Sequence, residues 1–404
     1  MAASSAPAPP RARELAGWKL LARFNTLLEE AAARSPAGSR EVHGLRTFER
    51  RGYFSLFLLG LFNPVIESMR ALCAATRVEE IRESLGLAGA VGLSRFSEAQ
   101  AVFAPELLQP VLTGLLRQSA GRVKGPAALG GKLSLSAIRI VDSTLWKVVP
   151  RMKWAVWRTQ GKEQKALRLH VKLRLLDLQV DSAEVTAGRA CERAVWLAQA
   201  RAGEFYIGDR YYGGDYGVLE TLEEKGCGFL VRLRHTAVLE VLETREPGAE
   251  ETAGGVEFDV LARLGHRQGK GPWRVLRFQK PGMSEAVTLA ASAECAELTA
   301  TELMELYHQR WQVEMFFRWL KCLVPCRHWF AESPQGVRLQ IYLSLIQALL
   351  LAEATGQRPS KRMMELLRFH QMGIATDAEL ISGLARLAAE RDKETARRAA
   401  KKSA

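Results

Sequence analysis

The spacing of apolar and polar residues changes once along this chain, near residue 133, and the change separates two kinds of structure. From about residue 11 to 118 apolar residues recur every three or four positions, in Leu15–Leu28, Tyr53–Leu72 and Val102–Leu116, with a polar break near Gly86–Gly92. That period predicts amphipathic helices. Within this stretch Val78–Phe103 fits two packed helices of a small bundle; the alternative is a DNA-binding helix-turn-helix whose second helix starts around Ser94 or Ser97. A Gly/Ala-rich segment, Gly121–Lys132, reads as a linker.

Beyond Leu133 the texture is that of strands. Ala137–Asp142 is short and apolar, Met152–Arg158 is a second candidate, and Leu167–Leu175 alternates cleanly. In the last, Leu167, Leu169, Val171, Leu173 and Leu175 share one face and Arg168, His170, Lys172 and Arg174 the other. The basic face either is solvated or tracks phosphates. Residues 190–201 read as a helix, Glu204–Gly208 as a strand, Val218–Glu224 as a helix ended by Gly226, and Phe229–Leu233 as a strand. Three strands, helix, strand, helix, strand is the connectivity of an α/β fold with a ribonuclease-H-like mixed sheet.

Four β-like segments follow, Ala237–Leu242, Val256–Leu264, Trp273–Gln279 and Ala286–Ala291, and predict a β-rich insertion before the next core helix. That helix opens on a capping box, Thr299-Ala300-Thr301-Glu302, and is expected to run unbroken to about Leu323. A buried helix, Leu339–Ala354, and a polar tail ending in Arg397, Arg398, Lys401 and Lys402 complete the chain. The expected organisation is a disordered arm (1–12), a helical N-terminal region (13–120), a core in two parts (133–234 and 293–355) around the insertion (235–292), and a basic helical tail (356–404).

Composition adds a sign. Lys and Arg number 57 against 44 Asp and Glu, a formal net charge of +13, which suits a polyanionic partner through counterion release. Six scattered cysteines do not form a disulfide framework, so a reducing, cytoplasmic setting is expected. Tyr53–Ile66 and Leu339–Leu351 both fall short of the roughly 18 to 20 clean apolar residues of a membrane span, so no membrane partner is expected.

Candidate chemistry sits at strand ends. Asp142 closes the first core strand, in Ile140-Val141-Asp142-Ser143-Thr144, and Asp209 closes the fourth, in Ile207-Gly208-Asp209-Arg210. Either alone could simply begin a turn. Two such residues on neighbouring core strands would face one another across a crevice, and like charges that close call for a cation such as Mg²⁺, which takes oxygen ligands. On the later helix Tyr307, Arg310, Glu314 and Lys321 fall within an arc of about 60° at 100° per residue, with Arg318 beside them. That stripe could be a solvated face with an Arg310–Glu314 pair. One acid among several bases also suits a metal ligand beside phosphates.

The segment Tyr307-x2-Arg310-x3-Glu314-x6-Lys321 resembles the Tyr-Arg-Glu-Lys signature of DDE transposases of bacterial insertion sequences, specifically the insertion-sequence-four family. Asp142 and Asp209 look like that family's two catalytic aspartates, and the similarity spans roughly residues 90 to 350. The family usually has Gly after Asp-Arg, where this chain has Tyr211. The resemblance implies that Asp142, Asp209 and Glu314 are catalytic and bind two Mg²⁺ ions, which Mn²⁺ can replace. It implies that Tyr307, Arg310, Lys321, Arg318 and Arg210 touch DNA. The implied activity is cleavage of double-stranded DNA at element ends and strand transfer into a target, in the bacterial cytoplasm, with a homodimer handling both ends in a synaptic complex. A nuclease on the same core and a non-catalytic DNA-binding descendant of a transposase are the alternatives. Trp273 fits a core position better than a base-stacking one, and Cys322, Cys326 and His328 match no zinc spacing.

Overall fold

The computed structural model describes residues 17–34, 41, 47–63, 65–119, 133–147, 152, 155–159, 162–176, 179–266, 269–323, 329–356 and 359–403. The expected arm (1–12) and the Gly121–Lys132 linker lie outside these residues, as do Cys326 and His328. The chain forms two compact units, a helical one of residues 1–119 with 318–404 and a sheet one of residues 120–317.

In the helical unit α1 is Gly17–Ala33, α2 Arg50–Phe62, α3 Met69–Ala75, α4 Glu79–Ser84, α5 Leu93–Val102 and α6 Gln109–Ser119. The connection between α4 and α5, residues 85–92, is longer than the three or four residues of a helix-turn-helix, and α4 buries none of its residues. Tyr53, Phe54 and Phe57 of α2 gather Phe96 and Phe103 into a buried aromatic cluster, with Tyr53 and Phe103 stacked 5.3 Å apart. The later helix Pro334–Thr355 is long and apolar enough to cross a membrane, yet Leu339, Leu343, Leu345, Ile346 and Leu350 are buried and it packs on α2 and α6. It is the core helix of this unit, capped by Ser333 and ended by Gly356 at φ 67°.

Among the described residues the sheet unit has ten strands. They are β1 (Ile138–Lys147), β2 (Val156–Thr159), β3 (Lys162–Arg174), β4 (Gln179–Ala187), β5 (Phe205–Gly208), β6 (Gly228–Arg232), β7 (Leu239–Arg245), β8 (Val256–Leu264), β9 (Lys270–Phe278) and β10 (Val287–Ala291). The order along the sheet is β2-β3-β1-β5-β6-β10-β9-β8-β7, with β4 also paired to β3. β1, β5 and β6 run parallel; β3 is antiparallel to β1, and β4 to β3.

Two features differ from the expected pattern. β4 is a strand that the sequence does not announce, because Val180, Ala183, Val185 and Ala187 are small, interspersed with polar residues, and offset by a register shift opposite Lys172/Leu173. β2, expected as a core strand, is a short hairpin partner of β3. The β-rich segment after β6 does not make a sheet of its own. β10 returns antiparallel to β6, so β7–β10 extend the central sheet.

The middle of the basic face of β3 is neither solvated nor open to phosphates, while Arg168 and Arg174 at its ends are half-buried. Lys172 is 1% exposed and bonds Asp181 and Glu204, each at 3.0 Å; His170 is buried against Thr186 at 2.8 Å. Burial first, then the Arg168 charge, push the His170 imidazolium down to a pKa of about 4, so it is neutral at pH 7. Beyond β4 and β5 the helices α7 (Glu192–Gln199) and α8 (Tyr216–Glu224) bring Trp196, Leu219 and Leu222 onto Tyr206, Phe229 and Val231. Trp273 joins that core. It is 1% exposed, meets Phe229 edge-on at 5.5 Å, and donates its indole N–H to Glu223 at 2.9 Å.

A short α9 (Ala249–Ala253) lies in the β7–β8 connection, and α10 (Ala300–His308) follows β10. Arg274 of β9 anchors the approach to α10. Its guanidinium forks onto buried Asp259 at 2.9 and 3.2 Å and reaches the carbonyls of Cys295 and Leu298. Arg274→Ala strands a buried carboxylate and is expected to destabilise the unit by about 3 kcal/mol. Urea unfolding of Arg274→Ala against the wild type measures this, and a loss within 0.5 kcal/mol, the usual reach of surface changes, would show the pair to be dispensable.

Candidate active site

The parallel pairing of β1 and β5 aligns Ile138 with Phe205 and Ile140 with Ile207. Two residues further along the same register, Asp142 comes level with Asp209, where β5 ends. Ile138, Ile140, Val141 and Phe205–Ile207 are covered on both faces. Asp142, expected to close its strand, instead lies within β1, which runs on to Lys147 paired with β3; only the parallel pairing with β5 ends there, and Asp209 follows the last residue of β5. Carboxyl ends of parallel strands are where open α/β sheets place ligands. Asp142 accepts the backbone N–H of Ser143 at 2.7 Å, and Asp209 that of Tyr211 at 2.8 Å. Burial first, then the charge of Asp209, push the Asp142 carboxyl up to a pKa of about 7; the Ser143 N–H and Arg310 act the other way, and Glu192 adds to the rise.

The helix expected as one piece is two. α10 ends at His308 and α11 spans Trp311–Leu323. Between them the bonds tighten to Gln309 N–H on Leu306, Arg310 N–H on Tyr307 and Val313 N–H on Arg310, the three-residue pattern of a 3₁₀ turn. The capping box holds as expected, with Thr299 Oγ accepting from Glu302 N–H at 3.1 Å and Glu302 from Thr299 N–H at 2.8 Å. Across the break the predicted residues still interact. Arg310 donates to Glu314 at 2.5 Å and is close enough to Asp142 to hold its pKa down, while Asp209 and Arg232 act on Tyr307. Burial first, offset in part by Arg310, pushes the Tyr307 phenol up to about 12, so it is a neutral donor.

Asp142, Asp209, Arg310 and Tyr307 are therefore one electrostatic neighbourhood, with Glu314 attached through Arg310. Among the described residues no three carboxylate, histidine or cysteine groups stand close enough to hold a metal ion, and Glu314 is engaged by Arg310. Arg210 is exposed beside Asp209. α11 crosses into the helical unit, where Arg318 and Lys321 are exposed on its C-terminal half.

A second group of residues, with no local signal to announce it, ties the two aspartate-bearing segments together. Glu192, the first residue of α7, accepts Ser143 Oγ–H at 2.5 Å and pairs with Arg168 of β3, which also donates to Ser143 at 2.8 Å. The Tyr212 hydroxyl reaches Glu192 at 3.5 Å from the turn after Asp209. Burial and then Glu192, Asp142 and Asp209 raise the Tyr212 phenol far above its usual value. Gly213 lets that turn close, since a Cβ there would stand 2.2 Å from the Arg232 carbonyl oxygen on β6. No spacing rule links residues 143, 168, 192 and 212; only the packing of α7 on the sheet does.

With this geometry in place, comparison with known proteins assigns the class. The family model described as "Transposase DDE domain" matches residues 134–350, more than half of the chain, and the chain belongs to that family. It is 26% identical over 251 residues to a protein of Sinorhizobium fredii (strain NBRC 101917 / NGR234) named as a transposase, y4zB, covering 59% of this chain and 65% of that one. It is 25% identical over 218 residues to a protein of Geobacillus stearothermophilus named as the transposase for an insertion sequence element, covering 53% of this chain and 55% of that one. The chain thus spans less than two thirds of the length of these two relatives. Among solved structures it is similar to a piggyBac transposase synaptic complex with hairpin DNA at TM-score 0.40 and 10% identity, over 94% of this chain and 84% of that chain. An endonuclease V of Streptomyces avermitilis matches at TM-score 0.21 and 14% identity, over 52% of this chain and 94% of that one.

Proposed function

We propose that this chain is an insertion-sequence DNA transposase that cuts phosphodiesters at element ends and transfers the freed strands into target DNA. One observation carries the proposal: two aspartates stand level on adjacent parallel strands, where the pairing of β1 with β5 ends, in a chain of the transposase DDE-domain family. Strand order β4-β3-β1-β5-β6, with β1, β5 and β6 parallel and β3 reversed, supports a ribonuclease-H-like core. The spacing of Tyr307, Arg310, Glu314 and Lys321 supports the insertion-sequence-four branch.

The donor set suits hard divalent cations. Carboxylate oxygens are the ligands Mg²⁺ and Mn²⁺ prefer, and a cation would offset the burial and, after it, the Asp209 charge that push the Asp142 carboxyl up. Asp142 and Asp209 would hold such ions with Glu314. Magnesium there would supply charge neutralisation for in-line displacement at phosphorus. For Glu314 to join the aspartates it exchanges its Arg310 partner, which leaves the guanidinium for a phosphate oxygen. Glu192, Arg168 and Tyr212 keep the two aspartate-bearing segments in register. Tyr307, neutral and a donor, orients a phosphate or sugar oxygen; Arg210 beside Asp209, and Arg318 and Lys321 further along α11, add positive charge for the backbone.

Incubating the full chain and Mg²⁺ or Mn²⁺ with the genomic DNA that flanks its gene tests the proposal. Cleavage at discrete ends, followed by joined products when pre-cut ends and a plasmid are supplied, is the expected result. Cutting without joining would make the chain a nuclease; no metal-dependent nicking on any DNA would make it a non-catalytic DNA-binding protein.

A further inference from the structure

Asp142 and Ser143 are neighbours on β1, and successive side chains of a strand point to opposite faces of its sheet. Val141 and Ser143 face α7. Val141 shares a buried cluster with Trp196 of that helix, and the Ser143 hydroxyl meets Glu192 at its start. Asp142 therefore points to the other face, and Ser143 reaches its carboxyl through the backbone. Pairing of β1 with β5 ends at Ile140, and past that point the Ser143 N–H donates to Asp142 Oδ1 at 2.7 Å. Where the Ser143 peptide is held thus decides how the Asp142 carboxyl is aimed.

The Ser143 hydroxyl is engaged in both of its roles. It donates to Glu192 Oε2 at 2.5 Å and accepts from Arg168 Nη1 at 2.8 Å. Arg168 also pairs with Glu192, which closes a triangle of largely buried groups. Both bonds to the hydroxyl come from charged partners, the stronger class of hydrogen bond, and together they leave its O–H no free rotation. Tyr212 reaches the same glutamate at 3.5 Å from the turn that follows Asp209. Ser143 joins this triangle to the peptide group that pins Asp142.

We infer that Ser143 is a positioning residue of the cutting site: its hydroxyl, clamped by Glu192 and Arg168 behind the sheet, holds the Asp142 carboxylate in place to receive a divalent cation. The inference rests on the proposed role of Asp142 and Asp209 as ion ligands. In this role Ser143 touches neither ion nor DNA and acts through one peptide group. Outer partners that orient a metal ligand typically contribute roughly 10–100-fold to metal affinity.

Binding of Mn²⁺ to the full chain without DNA, read from the loss of the free-ion electron paramagnetic resonance signal, tests the role apart from cleavage. Asp142→Ala marks the site, as the binding that this variant loses. Ser143→Ala is expected to weaken Mn²⁺ binding there about tenfold, the low end of that range. Ser143→Thr keeps the hydroxyl and suits a strand, and is expected to bind as the wild type. Arg274→Ala, destabilised on β9 three strands beyond β5, is expected to bind as the wild type too, which separates positioning from general loss of stability. Equal affinity of Ser143→Ala and wild type at an Asp142-dependent site overturns the positioning role and leaves the ion ligands standing. So does a loss in Ser143→Thr or Arg274→Ala as large as that in Ser143→Ala. Mn²⁺ binding that Asp142→Ala leaves unchanged sinks the ligand assignment itself, and the role of Ser143 with it.

Discussion

Asp142→Ala, Asp209→Ala and Glu314→Ala are each expected to abolish metal-dependent DNA cleavage, by at least about a thousandfold, while leaving DNA binding within a few fold. The size follows from what each group does. Asp142 and Asp209 stand level on neighbouring parallel strands, a placement no other residue of the sheet shares. Loss of an electrostatic stabiliser at a developing transition state costs roughly 10²–10³ even for a single hydrogen-bond donor, and a ligand of a divalent ion contributes more. DNA binding is expected to draw on the net charge of +13, which these substitutions do not diminish. Glu314 is the most informative of the three. It is bound to Arg310 rather than to the aspartates, so Glu314→Ala removes either a ligand or only an ion-pair partner. Cleavage by Glu314→Ala at wild-type rates would show that the helix acid takes no part. Wild-type rates for either aspartate variant would end the assignment of the site.

Asp142→Asn is expected to stabilise the metal-free chain at pH 8, by at most roughly 4 kcal/mol. The carboxyl titrates near 7 in the folded protein against 3.8 unperturbed, driven first by burial and then by Asp209, and each unit of such a shift corresponds to about 1.4 kcal/mol. Below pH 3.8 both states are protonated and the group costs nothing. Between 3.8 and about 7 the unfolded chain ionises while the folded chain holds its proton, so stability declines as pH rises. Above about 7 the penalty is complete, and asparagine, isosteric and neutral, escapes it. In EDTA the wild type should therefore lose stability from pH 4 to 8 more steeply than Asp142→Asn, and the variant should melt higher at pH 8. Added Mg²⁺ should raise the wild-type melting temperature at pH 8, since an ion bound only to the folded state stabilises it by mass action, and should raise that of Asp142→Asn much less. Parallel melting curves in EDTA, or equal magnesium shifts in both proteins, would mean that Asp142 and Asp209 do not repel as the geometry requires.

The parts of this structure that were legible in the sequence are those governed by neighbours along the chain. Alternation in Leu167–Leu175 gave β3, the capping box at Thr299–Glu302 gave the start of α10, and the apolar runs before Asp142 and Asp209 gave β1 and β5. The parallel order of those strands then made the aspartates opposite one another. β4 escaped because its inward residues are small and a register shift interrupts its alternation. The break at Gln309–Arg310 escaped because no glycine or proline marks it and the arc of Tyr307, Arg310, Glu314 and Lys321 reads as continuous at 100° per residue.

By itself the amino-acid order determined which acids follow the apolar runs of two core strands, that the tyrosine, arginine, glutamate and lysine share one helical segment, and that the chain is basic; that β1 continues past Asp142 to Lys147 was not legible in it. These are one-dimensional properties, set by period, punctuation and charge. Only the tertiary structure decided that Lys172 of the basic face of β3 is buried beneath its own counter-ions, that Glu192 joins residues 143, 168 and 212, that Glu314 is held by Arg310, and that Tyr211 lines an arginine-rich cavity beside Asp209. Each of these depends on residues far apart in the chain meeting across a sheet. A side chain's charge says what it can bind, but its partners are chosen by packing, which no local pattern records.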